Sequence, residues 1–160
     1  MPLKISLSTM IAAIFIAGAA IAPSASAAPD DACSLLTQAQ LDTVLSVSVG
    51  AGSYISPTDK RTCSWKGTGD AGKGAKTVTL MLQTLGAFQA GKSVQVKTIV
   101  VTPVSGIGDD AYYLAVGPNV GLIVKKGSAT FKVAVYASDL TLEQKRAVEK
   151  TLAQQVVSKL

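Results

Sequence analysis

The chain contains no histidine. Every mechanism that uses an imidazole as acid, base or metal ligand is therefore excluded, including Ser-His-Asp and Cys-His nucleophilic arrangements and Cys2His2 zinc sites. Cysteine is scarce too: the 160 residues hold two, too few for a four-thiolate metal site. Charged residues make up 16% and aromatics 5%, so neither a dense ionic surface nor an extended stacking platform is available. What the chain has in quantity is apolar residues, at 48%. Its length is that of one domain.

The apolar residues are unevenly placed. Lys4 precedes a run from residue 5 to 22 broken only by Ser6, Ser8, Thr9 and Gly18, and Pro23 and the small residues Ser24, Ala25, Ser26 and Ala27 follow. A basic start, an apolar middle and an Ala-x-Ala end read as a secretory signal peptide over residues 1–27, cleaved between Ala27 and Ala28. The run is also near the length that spans a bilayer, but Pro23 and the small residues favour cleavage, which leaves no stable membrane anchor. The expected product is exported, to the periplasm or the extracellular medium. It keeps every charged side chain but Lys4 and is mildly basic, with its charges scattered as on an ordinary solvated surface.

Export alters the reading of the cysteines, because an oxidising compartment preserves disulfides. Cys33 and Cys63 are expected to pair, closing a loop of about 30 residues worth roughly 3–4 kcal/mol in the loop-entropy picture. There is no Cys-x-x-Cys for redox chemistry. Asp30, Asp31 and Ala32 before Cys33 are not what a lipoprotein peptidase reads.

Along residues 28–160, helix and strand signals alternate in one compact series. Thr37 and Gln40 form a capping box with Leu36 as its staple, and Leu41, Val44 and Leu45 continue at helical spacing, which predicts a helix over 38–45. Gly50, Gly52 and Pro57 mark a loop, and residues 61–66 read as a strand with Cys63 and Trp65 on one face. Residues 67–76, GTGDAGKGAK, read as a mobile hairpin loop. Val78, Leu80 and Leu82 alternate on a strand ending near Leu85; a helical turn over 87–92 separates it from a β-branched strand over 94–102. Pro103 and GIGDD (106–110) end that strand. Three further strands, 111–116, 121–125 and 130–136, are joined by short turns at 117–119 and 126–128. Thr141 and Gln144 form a second capping box, and Leu142, Val148, Leu152, Val156 and Leu160 line a closing helix, with Arg146, Glu149, Lys150 and Lys159 off the stripe. The predicted fold is α+β: an antiparallel meander of about five or six strands with the N- and C-terminal helices on one face and one disulfide.

The motif GAFQAGKS (86–93) matches G-x-x-x-x-G-K-[ST], in which Lys92 would reach phosphates and Ser93 would hold magnesium. A phosphate loop must run into a helix whose N-terminal amides face the anion, whereas Ser93 is followed by the strand-like VQVKTIVV. Nucleotide-dependent chemistry through Lys92 is therefore the weakest functional reading. The neighbouring GTGDAGKG has the spacing but ends in Gly74 where a hydroxyl is needed. Asp109 and Asp110 could suggest a calcium or acid/base pair, but adjacent residues in extended chain point to opposite sides and no further ligands recur at a calcium-loop spacing, so a turn is expected. Trp65 reads as core beside the disulfide. Tyr54, Tyr112, Tyr113 and Tyr136 divide between faces and make no platform for nucleic acid.

Taken in order, ACSLLTQAQLDTVLSVSVG (32–50), TCSW (62–65), GIGDDAYY (106–113) and a terminal amphipathic helix resemble a family of short exported bacterial proteins with a domain of unknown function, common among actinobacterial lipoproteins. The resemblance implies an α+β domain and pairing of the two cysteines, and brings no activity with it. This chain lacks the lipid-accepting cysteine of the lipoprotein members.

No cofactor and no metal are expected, and no catalytic constellation stands out. The function expected is a non-catalytic binding or interaction module of the envelope or secreted fraction, with a protein or small-ligand partner. The alternative is a weak binder of anionic polymers or lipid surfaces through Lys66, Lys73, Lys76 and Lys92.

Overall fold

The computed structural model describes residues 28–68 and 75–160. The expected signal segment lies outside them, as do residues 69–74 of the Gly/Lys loop, Lys73 included. A short 3-10 turn, Ala32–Ser34, leads to α1 (Gln38–Leu45), and strands β1 (Ser53–Ser56), β2 (Asp59–Lys66) and β3 (Thr77–Gln83) follow. Then come α2 (Leu85–Lys92), β4 (Ile99–Val104), β5 (Asp110–Val116), β6 (Asn119–Lys126), β7 (Ala129–Tyr136) and α3 (Leu142–Val157). The strands form one seven-stranded antiparallel sheet in the order β1-β2-β3-β7-β6-β5-β4. It consists of two meanders, β1 to β3 and β4 to β7, joined where β3 pairs with β7 from Thr77↔Tyr136 to Gln83↔Thr130.

Alternation decides which face is buried. Val78, Leu80 and Leu82 of β3 lie opposite Val135, Val133 and Phe131 of β7, and with Leu122 and Val124 of β6 and Trp65 and Cys63 of β2 they form the floor of the main core. The terminal helices α1 and α3 cover this face with Leu41, Leu45, Leu152, Ala153 and Val156, as the α+β reading expects. Both capping boxes form: Thr37 with Gln40 and Thr141 with Gln144 each satisfy two backbone donors at a helix start. Cys33 and Cys63 are disulfide-bonded, fixing the turn before α1 to β2, and Trp65 is buried two residues along the same strand.

The second face carries α2. Thr84 caps it by accepting from the Ala87 N–H, so the expected turn is a full eight-residue helix. Phe88 seats on Tyr112 and Ile123, with the Phe88 and Tyr112 rings edge to face at 5.2 Å. The Tyr112 hydroxyl donates to the Phe88 carbonyl at 2.8 Å, and a Cβ on Gly91 would lie 2.4 Å from that hydroxyl oxygen. Gly91 is thus the space through which Tyr112 reaches the helix.

Four sequence expectations are corrected. The sheet has seven strands rather than five or six, because Ser53–Ser56, read as loop, pairs with β2. Its pattern is nearly all exposed, so no alternation announces it. The fourth strand runs Ile99–Val104 rather than 94–102. Its partner β5 ends at Val116, opposite Ile99, and residues 94–98 have nothing to pair with. Pro103 lies inside this strand rather than ending it; β4 is at the sheet edge, the position that accommodates proline. Glu149, expected off the buried stripe of α3, is fully buried.

The GIGDD segment is a turn, as expected. Gly108 has φ +59°, and a Cβ there would sit 2.4 Å from the Lys125 carbonyl oxygen, so glycine is needed on both counts. Breaking the disulfide by replacing both cysteines with alanine is expected to lower unfolding free energy by about 3–4 kcal/mol, to be measured by urea denaturation of the folded domain.

Candidate functional site

The main irregularity of the sheet lies between β6 and β7. Their ladder runs from Lys126↔Ala129 to Leu122↔Val133 and stops. Yet β5 stays paired with β6 out to Val116↔Asn119, and β3 with β7 out to Thr77↔Tyr136. Residues 119–121 and 134–136 are thus held in the sheet on their outer sides only. The Val135 N–H, which a β6 carbonyl would take in a continued ladder, donates instead to Glu149 Oε1 at 3.0 Å.

Glu149 comes from α3 and is 0% exposed. Its Oε2 has no hydrogen-bond partner. Burial pushes its carboxyl up to about 7, against the opposing pull of the Val135 N–H and of Lys132, Lys145 and Arg146. Tyr113 of β5 faces the same region: its hydroxyl donates to the Arg146 carbonyl at 2.7 Å, and the Arg146 guanidinium lies 5.2 Å from the centre of its ring. Burial first, then the Glu149 charge, raise the phenol to about 12.

One turn before Glu149, Lys145 is 7% exposed. Its ammonium donates to the Pro118 carbonyl at 3.2 Å. No carboxylate lies within ion-pair distance of it among the described residues. Lys145 borders a cleft of about 690 Å³ at the open end of the β6/β7 pair, walled by Pro118, Asn119, Tyr136, Ser138 and Leu142. The volume is that of a small-molecule site. The side chains of Asn119, Tyr136 and Ser138 make no hydrogen bonds within the described chain and are available to a ligand.

The sequence-predicted residues are placed elsewhere or otherwise engaged. Lys66 is exposed at the end of β2, next to Thr77. Lys76 donates to the Leu45 carbonyl at 3.3 Å and pairs with Asp139 at 3.4 Å. Lys92 pairs with Asp110, which lies at the opposite end of the sheet, beside Lys125. Of the three described candidates, Lys66 and Lys76 thus lie at one end of the sheet and Lys92 at the other, so they do not form a single patch. Residues 86–92 of the GAFQAGKS match lie inside α2, with Ser93 as its C-cap, so they form a helix rather than a loop of exposed amides. Asp109 accepts the Gly127 N–H at 2.6 Å and pairs with Lys125 and Lys126, which holds its carboxyl below the usual range, the Gly127 bond being the largest cause. Each aspartate of the pair thus serves a turn or an ion pair. Among the described residues, no three Asp, Glu or Cys gather as a metal site would require.

Neither Lys145 nor Glu149 stands out in the sequence, because charged residues on an amphipathic helix read as its solvated side. The only available signal is their 145, 149, 152, 156 spacing, which places them on the line of Leu152 and Val156.

A carboxyl raised in the folded state binds its proton more tightly than in the unfolded chain. Its contribution is therefore full below about pH 4.5 and is lost as pH rises through 7. Its size is at most ~3 kcal/mol. Melting temperature is expected to fall between pH 5 and 8, and Glu149→Gln, which keeps the acceptor for Val135, is expected to flatten that slope. Thermal denaturation followed by circular dichroism across the interval checks both.

Among the described residues no helix is long and apolar enough to cross a membrane. No protein-family model matches the chain, and no curated protein or solved structure matches it significantly.

Proposed function

We propose that the chain is an exported, non-catalytic binding module whose ligand surface is the cleft at the open end of the β6/β7 pair. The observation that carries this reading is the coincidence of a cleft of small-molecule size with a buried ammonium that has no ion-pair partner, and three polar side chains without hydrogen bonds, among the described residues. The walls come from four places: the start of β3 with Ala75 before it, the β5–β6 turn, the end of β7 with the residues after it, and the start of α3. A rigid frame around unsatisfied groups is what a binding site requires.

Export is supported by the disulfide, which an oxidising compartment preserves, and by the secretory pattern of residues 1–27. The non-catalytic reading rests on the lack of histidine and of any free thiol, since both cysteines are paired. The resemblance to short exported bacterial domains points the same way.

The test is a ligand-observed NMR screen of small amphipathic compounds against the folded domain and against Ser138→Trp, which fills the cleft from its exposed rim. Hits are expected to lose at least tenfold in affinity in the filled variant while its melting temperature stays within a few degrees. Hits that bind both forms equally would place the ligand surface elsewhere.

A further inference from the structure

We infer that the cleft takes a small amphipathic monocarboxylate, an aliphatic or aryl acid whose charged end meets Lys145 and whose apolar body lies against Leu142, Pro118 and Tyr136; this rests on the cleft being the ligand surface. Lys145 carries a buried charge with no carboxylate within ion-pair distance among the described residues. Burying an ammonium is costly unless a counter-charge and hydrogen bonds replace its water. Lys145 is nine-tenths buried and, among the described residues, has one carbonyl acceptor for its three N–H donors. The nearby carboxylate that could neutralise it, Glu149 one turn on, is turned to the Val135 N–H and forms no ion pair with it. The ammonium thus has donors to spare at the wall of an open cleft.

Three features narrow the anion. A single lysine with neutral donors beside it, the Asn119 amide and the Ser138 hydroxyl, balances one negative charge. A phosphate dianion would need the second cation or fork of donors that such sites carry, whereas one carboxylate fits. The start of α3 opens on the same cleft, and the positive end of a 16-residue helix adds to the attraction for a negative group. Finally, the remaining wall is apolar, with Leu140 and Leu142 half-buried and Tyr136 44% exposed. An acid with a hydrocarbon or aromatic body gains from that wall, and a fully hydrated small anion does not.

The experiment titrates the folded domain at pH 7.5 with octanoate, octan-1-ol, octylammonium and inorganic phosphate, followed by 15N-HSQC spectra. Octanoate is expected to shift the resonances of Asn119, Ser138 and Lys145 and to bind at least tenfold more tightly than octan-1-ol. Octylammonium and phosphate are expected to bind more weakly still. Lys145→Met, which keeps the apolar stem, is expected to erase the preference for octanoate over octan-1-ol, and Lys145→Arg to retain it. If octanoate and octan-1-ol bind the native domain equally, or if Lys145→Met leaves the preference intact, the carboxylate assignment is overturned while the cleft stands. If none of the probes binds, or if all bind Ser138→Trp as well as the native domain, the cleft reading fails with it. Tighter binding of phosphate than of octanoate would also overturn the monocarboxylate.

Discussion

The pairing of β3 with β7 is the contact on which the rest of the sheet depends. The other strand pairs join consecutive strands of one meander, whereas this one joins residues 77–83 to residues 130–136. Its register decides the core: Val78, Leu80 and Leu82 meet Val135, Val133 and Phe131 on the covered face. A slip of one residue would turn Thr79 and Met81 inward and expose the valines and leucines. Until this pair forms, α3 has no complete floor to pack on and α1 has no partner helix. Closing the loop between residues 83 and 130 is an entropic cost that this pairing carries, and the disulfide constrains only the first meander, by tying the segment before α1 to β2.

The parts of this fold that were legible in the sequence are those specified locally. Thr37 with Gln40 and Thr141 with Gln144 mark helix starts because a capping box is complete within four residues. The apolar alternation of β3, β6 and β7 marks strands because one side of each faces the core. The misses have a common cause, which is that the deciding partner lies far away in the chain. Residues 94–98 are as β-branched as a strand but end up beyond the end of β5. Ser53–Ser56 has no strand-like pattern but lies alongside β2. The candidate site was legible only in the spacing that puts Lys145 on the line of Leu152 and Val156. It exists because one ladder stops three residues short of its neighbours, and nothing in 119–121 or 134–136 announces where a ladder stops.

The middle of α3 shows how a helix can serve stability and a site with different turns. Its C-terminal half contributes Leu152, Ala153 and Val156 to the core, as an amphipathic helix should. Its N-terminal half sends Lys145 and Glu149 inward along the same line, where apolar residues would pack at less cost. Glu149 recovers part of that cost by completing the broken backbone ladder at Val135. Lys145 recovers less, since it finds only one carbonyl. Local disagreement of this kind between burial and polarity is where function is most economically sought.

The two edges of the sheet bear on how the molecule meets its own copies. On one side β1 is four residues long and slips register between Tyr54 and Ser56; on the other, β4 carries Pro103 and so lacks one donor along its length. Neither edge offers a long, regular row of free peptide groups, the template on which strands from separate molecules add edge to edge. Val100, Val116 and Ile55 are exposed near these edges, so the apolar content that would feed fibril growth is present while the backbone geometry to propagate it is not. The proline and the short strand thus work against edge-to-edge addition of further strands.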